Sequence, residues 1–338
     1  MELLSAIIIF LGFTAVIGVA GTYLSRTADQ FADITGLGEV LLGAMFLGAT
    51  TSMAGIITSV TAAFQNYPEL AISNAMGGIV AQTSFLAIVD ITYRKANLEH
   101  ASASYENLMQ GMLLVIMLSF ILLVMVAPNI GILDFHPASL VLILIYVLGL
   151  RLVSKSRNVP MWKPRKTPET IEDIPKHTET EKINLKTLSI RFLILAVSVA
   201  ISGYMVAESG IVIAQETGLS ESFVGSLFTA VSTSLPELIV TVSAVRYGAL
   251  TLAVSNIIGG NSFDVLFVAF SDFAYLQGSI YHALSYSQVF IIVLTLLITS
   301  VLIMGLLDRE KNGIGNIGWE SFLIILLFVG GYIVMYIS

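Results

Sequence analysis

Two pairs of short stretches place oxygen-bearing side chains inside apolar sequence. Residues 50–55 read TTSMAG and 73–82 read SNAMGGIVAQ; residues 232–237 read STSLPE and 255–264 read SNIIGGNSFD. Hydroxyl, amide and carboxylate oxygens are hard ligands, better suited to Na⁺, Ca²⁺ or Mg²⁺ than to soft metals. Pro236 lacks an N–H, so the carbonyl one turn earlier is released as a further oxygen. Gly259 and Gly260 read as a glycine-rich break or a close backbone approach. Glu237 and Asp264 supply charge. Together they balance one divalent cation, two monovalent cations or two protons, and two carboxylates in a dry site cannot both stay ionised without a partner. Small and hydroxyl residues in membrane helices also serve packing. Thr58, Ser59 and Thr241 read that way, Asn74 and Asn256 read as braces for helix breaks, and Glu69 reads as a solvated helix-start residue.

These stretches carry chemistry of that kind only if they lie in lipid, and the composition says that they do. Of 338 residues, 56% are hydrophobic and 12% charged, against about a quarter charged in soluble domains. Ten apolar segments are long enough to span a bilayer: about 2–24, 36–62, 69–94, 107–127, 137–153, 187–208, 218–246, 250–276, 283–306 and 317–337. The first has no basic stretch before it and reads as a span, not a cleaved signal. The chain has no cysteine, which excludes disulfides and thiolate chemistry. Its four histidines are scattered, and neither a nucleophile–base pair nor a phosphate loop is present. An enzyme is therefore not expected, and no cofactor is implied.

The polar stretch 154–186 divides five spans from five. With that loop in the cytoplasm, every one of the sixteen Lys and Arg residues falls in or beside an inside loop, as the positive-inside rule demands. Both termini then lie outside. The two halves are also related in sequence. Stretch 50–87 lies over 232–269 without a gap, with thirteen of 38 positions identical. The same offset carries the first span onto the sixth and the fifth onto the tenth. A repeat of five spans must insert in opposite orientations. The expected fold is an all-α polytopic membrane protein: ten transmembrane helices as two inverted five-helix repeats, 1–153 and 187–338, joined by the cytoplasmic loop 154–186. Secondary transporters use this plan, with the site near the midplane.

STSLPEL followed by SNIIGGNSFD resembles the second α-repeat of the Ca²⁺/cation antiporter superfamily, which includes the Na⁺/Ca²⁺ exchangers. The resemblance extends over the ten spans, the central loop and the repeats. It implies that Glu237 is the central ion-binding glutamate and Asp264 the acid or amide of the paired helix. Thr233 and Ser234 would add carbonyl and hydroxyl oxygens, with Thr51 and Ser52 in the same roles in the first repeat and Gln82 opposite Asp264. The first repeat departs from the family pattern: Gly55 stands where a second glutamate is usual, and Ala54 where proline is. The implied activity is export of Ca²⁺ across the cell membrane in exchange for Na⁺ or H⁺. The missing glutamate leaves exchange of monovalent cations or of Mg²⁺ as an alternative, and a transport-inactive sensor or scaffold as another. The implied partners are inorganic cations and the lipid bilayer, with no nucleic acid.

Overall fold

The computed structural model describes residues 2–35, 40–93, 96–102, 104–129, 135–156, 162–168, 170, 184–313 and 317–337. Most of the expected loop 154–186 lies outside the described residues. Long helices account for nearly all of the rest: α1 (Leu3–Phe31), α2 (Val40–Thr51), α3 (Met53–Phe64), α4 (Pro68–Thr92), α5 (Tyr105–Val126), α6 (Ala138–Ser156) and α7 (Leu185–Thr217). They are followed by α8 (Glu221–Thr233), α9 (Leu235–Arg246), α10 (Leu250–Asp264), α11 (Leu266–Ala274), α12 (Tyr286–Asp308) and α13 (Trp319–Ile337). Among the described residues, eight helical stretches are long and apolar enough to cross a membrane, α10 and α11 counting as one. The bent pairs α2–α3 and α8–α9 bring the number to ten if each is one crossing.

Both bends fall at a serine that separates two helices. The chain turns by 68° at Ser52 and by 48° at Ser234. Pro236 sits in the first turn of α9, where its missing N–H costs nothing. At the first bend Ala54 occupies the corresponding place. The glycine pairs do not break their helices. α4 runs unbroken through Gly77–Gly78 and α10 through Gly259–Gly260, and the interruption comes later, at Val265. At Gly77 the missing side chain admits a neighbour instead: a Cβ there would strike the backbone of Ser226.

The first and sixth spans outrun their apolar segments. α7 has 33 residues and is therefore about 50 Å long, well beyond the ~30 Å hydrocarbon layer. α1 contains a π-helical turn at Ile17–Gly21. There it lies against the second bend, where a Cβ on Gly21 would come within 2.5 Å of Pro236 Cγ. The repeat offset reproduces this contact at the first bend. A Cβ on Gly203 of α7, the counterpart of Gly21, would come within 2.7 Å of the carbonyl oxygen of Ala54, the counterpart of Pro236. Thr58 donates to the Gly203 carbonyl at 2.9 Å. Each long helix thus touches the bend of the opposite half.

Connections gather on two faces. On one, Asn97 N–H donates to Lys311 O, and Arg309 donates to the carbonyls of Arg165 and His100 and to Thr170. On the other, Gln65 donates to Glu208, Gln215 to the Tyr67 hydroxyl, Ser222 to Glu69, and Gln288 to Ser222. The His282 Nε2 meets the Ala127 carbonyl there. The scattered histidines partly converge, since the rings of His136 and His282 lie 5.5 Å apart. A buried aspartate ties down each face. Asp90 accepts from Leu98 N–H at 2.6 Å and Gly318 N–H at 3.5 Å. Asp272, its counterpart in the second half, accepts from Ile280 N–H at 2.9 Å, His136 N–H at 2.8 Å and the Ser139 hydroxyl at 2.6 Å.

Removing the Asp272 carboxylate orphans three buried donors. Asp272→Ala is expected to cost about 2–5 kcal/mol, visible as a lower Tm in detergent. Beside Asp90, burial and the charges of Asp90 and Glu320 push the Glu99 carboxyl well above its usual range. The folded state therefore favours protonated Glu99. That stabilisation is complete below the unfolded-state pKa and fades as the pH rises through the raised one. Tm should fall as pH rises over that window, and Glu99→Gln should flatten the fall.

Candidate ion-binding site

The two bends meet α4 and α10 at a small cleft lined by Ser52, Gly55, Gly78, Gln82, Thr233, Ser234, Glu237, Asp264 and Phe267. Six of the seven residues expected from sequence are among them. The exception is Thr51: its hydroxyl donates back to the Gly48 carbonyl at 3.2 Å, and it does not line the cleft. Gly55, Gly78 and Phe267 carry no hydrogen-bonding side chain, so an inventory of oxygen ligands passes over them. The repeat offset does pair Gly55 with Glu237 and Gly78 with Gly260.

Asp264 ends α10 and joins the two halves. The Ser52 hydroxyl donates to Oδ1 at 2.6 Å and Gln82 Nε2 donates to Oδ2 at 2.7 Å. Gln82 Nε2 also lies 3.4 Å from the Ser234 hydroxyl oxygen. Each bend serine therefore meets the polar residue of a long helix from the other half, Ser52 with Asp264 and Ser234 with Gln82. The glycines lie beside these groups, at distances where a methyl would make ordinary contact. A Cβ on Gly78 would lie 3.5 Å from Ser234 Oγ, and one on Gly260 would lie 3.4 Å from Gln82 Oε1.

Glu237 is 3% exposed and lies in the first turn of α9. No neighbouring side chain donates to either of its oxygens, and Gln82 Oε1 is likewise without a donor. Buried polar atoms in native proteins are nearly always paired. Glu237 and Gln82 line the same cleft with oxygens that lack donors, a need that a proton or a bound cation would meet. Thr233, whose hydroxyl donates to Ala230 O at 3.2 Å, keeps its lone pairs free for the cleft. Pro236 leaves the Ser232 carbonyl without its helical donor.

Asn74 braces the first bend from behind. Its amide donates to the Gly55 carbonyl at 3.2 Å and Ser59 Oγ at 2.9 Å, while Thr229 donates to its Oδ1 at 2.7 Å. In the second half the corresponding pair repeats the contact, Asn256 donating to Thr241 Oγ at 3.3 Å. Thr58, Ser59 and Thr241 thus make helix-packing contacts and do not line the cleft. Among the described residues no three His, Asp or Glu side chains are grouped to hold a metal ion. The cleft offers two carboxylates and neutral oxygens.

The profile of the family described as "Sodium/calcium exchanger protein" matches residues 5–155 and again 187–337. A protein named "Putative antiporter CaxA" from Alkalimonas amylolytica is 25% identical over 268 residues, 79% of each chain. The sodium/calcium exchanger MaX1 of Methanosarcina acetivorans is 30% identical over 146 residues, 43% of this chain and 39% of that one. Among solved structures, the H⁺/Ca²⁺ exchanger CAX superposes with a TM-score of 0.73 at 15% identity, covering 98% of this chain and 85% of its own.

Asn74→Ala removes three buried hydrogen bonds, while the Ser59 and Thr229 hydroxyls keep their bonds to the Ala71 and Gly225 carbonyls. It is expected to cost about 2–4 kcal/mol, measured as a drop in Tm of the purified protein.

Proposed function

The chain belongs to the sodium/calcium exchanger protein family, and we propose that it is a secondary antiporter carrying Ca²⁺ in exchange for Na⁺ or H⁺. The observation that carries this reading is the pair of unpartnered Glu237 oxygens, buried in a cleft lined by Ser52, Gln82, Thr233, Ser234 and Asp264. These residues supply hard oxygen ligands in number and charge suited to Ca²⁺. Thr51, at the bend but off the cleft, would offer its backbone carbonyl at most. The cations are substrates, held and released by Glu237 and Asp264.

The proposed architecture is two five-helix units of opposite orientation, 1–153 and 187–338. Contacts that recur under the repeat offset support it: Gly21 with Pro236 and Gly203 with Ala54, then Asp90 with Leu98 and Asp272 with Ile280. Two successive matches to one family profile support it as well. α1 and α7, each lying on the opposite bend, are the elements whose rocking would open the cleft to either face. The face carrying Arg309, Lys311 and Arg165 is assigned to the cytoplasm by the positive-inside rule, which puts both termini outside and the protein in the cell membrane.

A second reading, exchange of monovalent cations or Mg²⁺, is favoured by one observation: Gly55 stands where the repeat offset places the partner of Glu237, so the cleft has a single unpaired carboxylate. Flux decides between them. Protein reconstituted in vesicles is expected to move ⁴⁵Ca²⁺ down an imposed Na⁺ or proton gradient, and Glu237→Gln should reduce that flux to the level of empty vesicles. Na⁺, K⁺ or Mg²⁺ flux without Ca²⁺ flux would select the second reading. No flux of any of these ions in wild type would leave a sensor or scaffold.

A further inference from the structure

Position 55 faces the cleft together with Glu237, its partner under the repeat offset, yet no side chain extends from it. Phe267 stands in its place. A Cβ built on Gly55 would come within 2.6 Å of Phe267 Cε2 and 3.1 Å of Cζ, closer than real Cβ atoms approach a ring. Phe267 is itself held fast. It is 3% exposed and meets Phe263 edge-on at 6.5 Å, and Phe263 meets Tyr146 at 5.8 Å. Its own partner under the offset, Phe85, does not line the cleft. The ring therefore intrudes on one side only, the side where a second carboxylate would project.

The remaining side-chain oxygens line one cleft. Ser52, Gln82, Thr233 and Ser234 contribute one side-chain oxygen each and Glu237 and Asp264 two each, eight in all. A single Ca²⁺ takes about six to eight. Asp264 accepts from both Ser52 and Gln82, which leaves Glu237 as the one carboxylate of the cleft without a donor.

We propose that Phe267 is a specificity-determining residue: its ring fills the path by which a side chain at position 55 would reach the cleft, and so limits the cleft to one cation at a time. This rests on the antiporter reading of the same site and adds its ion count. Removing the ring and supplying a carboxylate at 55 creates a second seat. Leaving the ring in place makes any side chain at 55 a steric burden.

Equilibrium dialysis of the purified full-length protein against ⁴⁵Ca²⁺, and separately ²²Na⁺, tests it. Wild type should saturate at one cation per chain, and Gly55→Glu with Phe267→Ala should bind a second Na⁺. Wild type saturating at two or more cations, or a folded double variant that still binds one, would overturn the inference and leave the antiporter reading standing. Wild type binding no cation would sink both. A steric readout is independent of ions. Gly55→Ala should lower Tm, and Phe267→Leu should restore it in the double variant; a silent Gly55→Ala would refute the blockade even if the Phe267→Ala variant failed to fold.

Discussion

Asp264 accepts a hydrogen bond from Ser52 on one oxygen and from Gln82 on the other, 212 and 182 residues away in sequence. A carboxylate buried this deeply is costly without donors. These donors come from the first half of the chain, while the acid belongs to the second. The bend at Ser52 and the unbroken path of α4 that carries Gln82 to the same depth both serve that one contact. Glu237 differs in that no neighbouring side chain satisfies it. The contrast divides the two acids by role, Asp264 as the joint of the site and Glu237 as its unsatisfied charge.

The positions around this joint are set by contacts that contribute no ligand. Pro236 lies on Gly21 and Ala54 on Gly203, so each long helix, α1 or α7, bears on a bend that carries site residues. Asn74 fixes the bend at its Gly55 carbonyl. A shift of either long helix would therefore reach the cleft through packed atoms, without a flexible linker. At the second bend Pro236 removes a helical hydrogen bond, a common cause of a kink.

Much of this was legible in the chain. Apolar length marked the spans, and the STSLPE and SNIIGGNSFD stretches marked Glu237, Asp264, Thr233 and Ser234, because intramembrane acids and proline are costly enough to signal function. The offset between the halves led to Ser52 and Gln82. What escaped were steric relations. Thr51 and Ser52 are adjacent hydroxyls, and only the helix phase at the bend decides that Ser52 reaches Asp264 while Thr51 turns back to Gly48. The Gly259–Gly260 pair looked like a break, yet α10 runs through it. Phe267 left no signal, since an aromatic residue in an apolar helix is ordinarily packing; its importance appears only when it is found in the space beside Gly55.

The central claim is that Glu237 holds the transported cation within one shell of oxygens shared by both halves. A long-wavelength anomalous difference map of crystals grown in Ca²⁺ tests it most directly. The expected result is one peak in the cleft, about 2.3–2.6 Å from an oxygen of Glu237. A Ca²⁺ peak elsewhere in the membrane-spanning region with Glu237 left bare, or a cleft without density under conditions where the protein binds Ca²⁺, would contradict it.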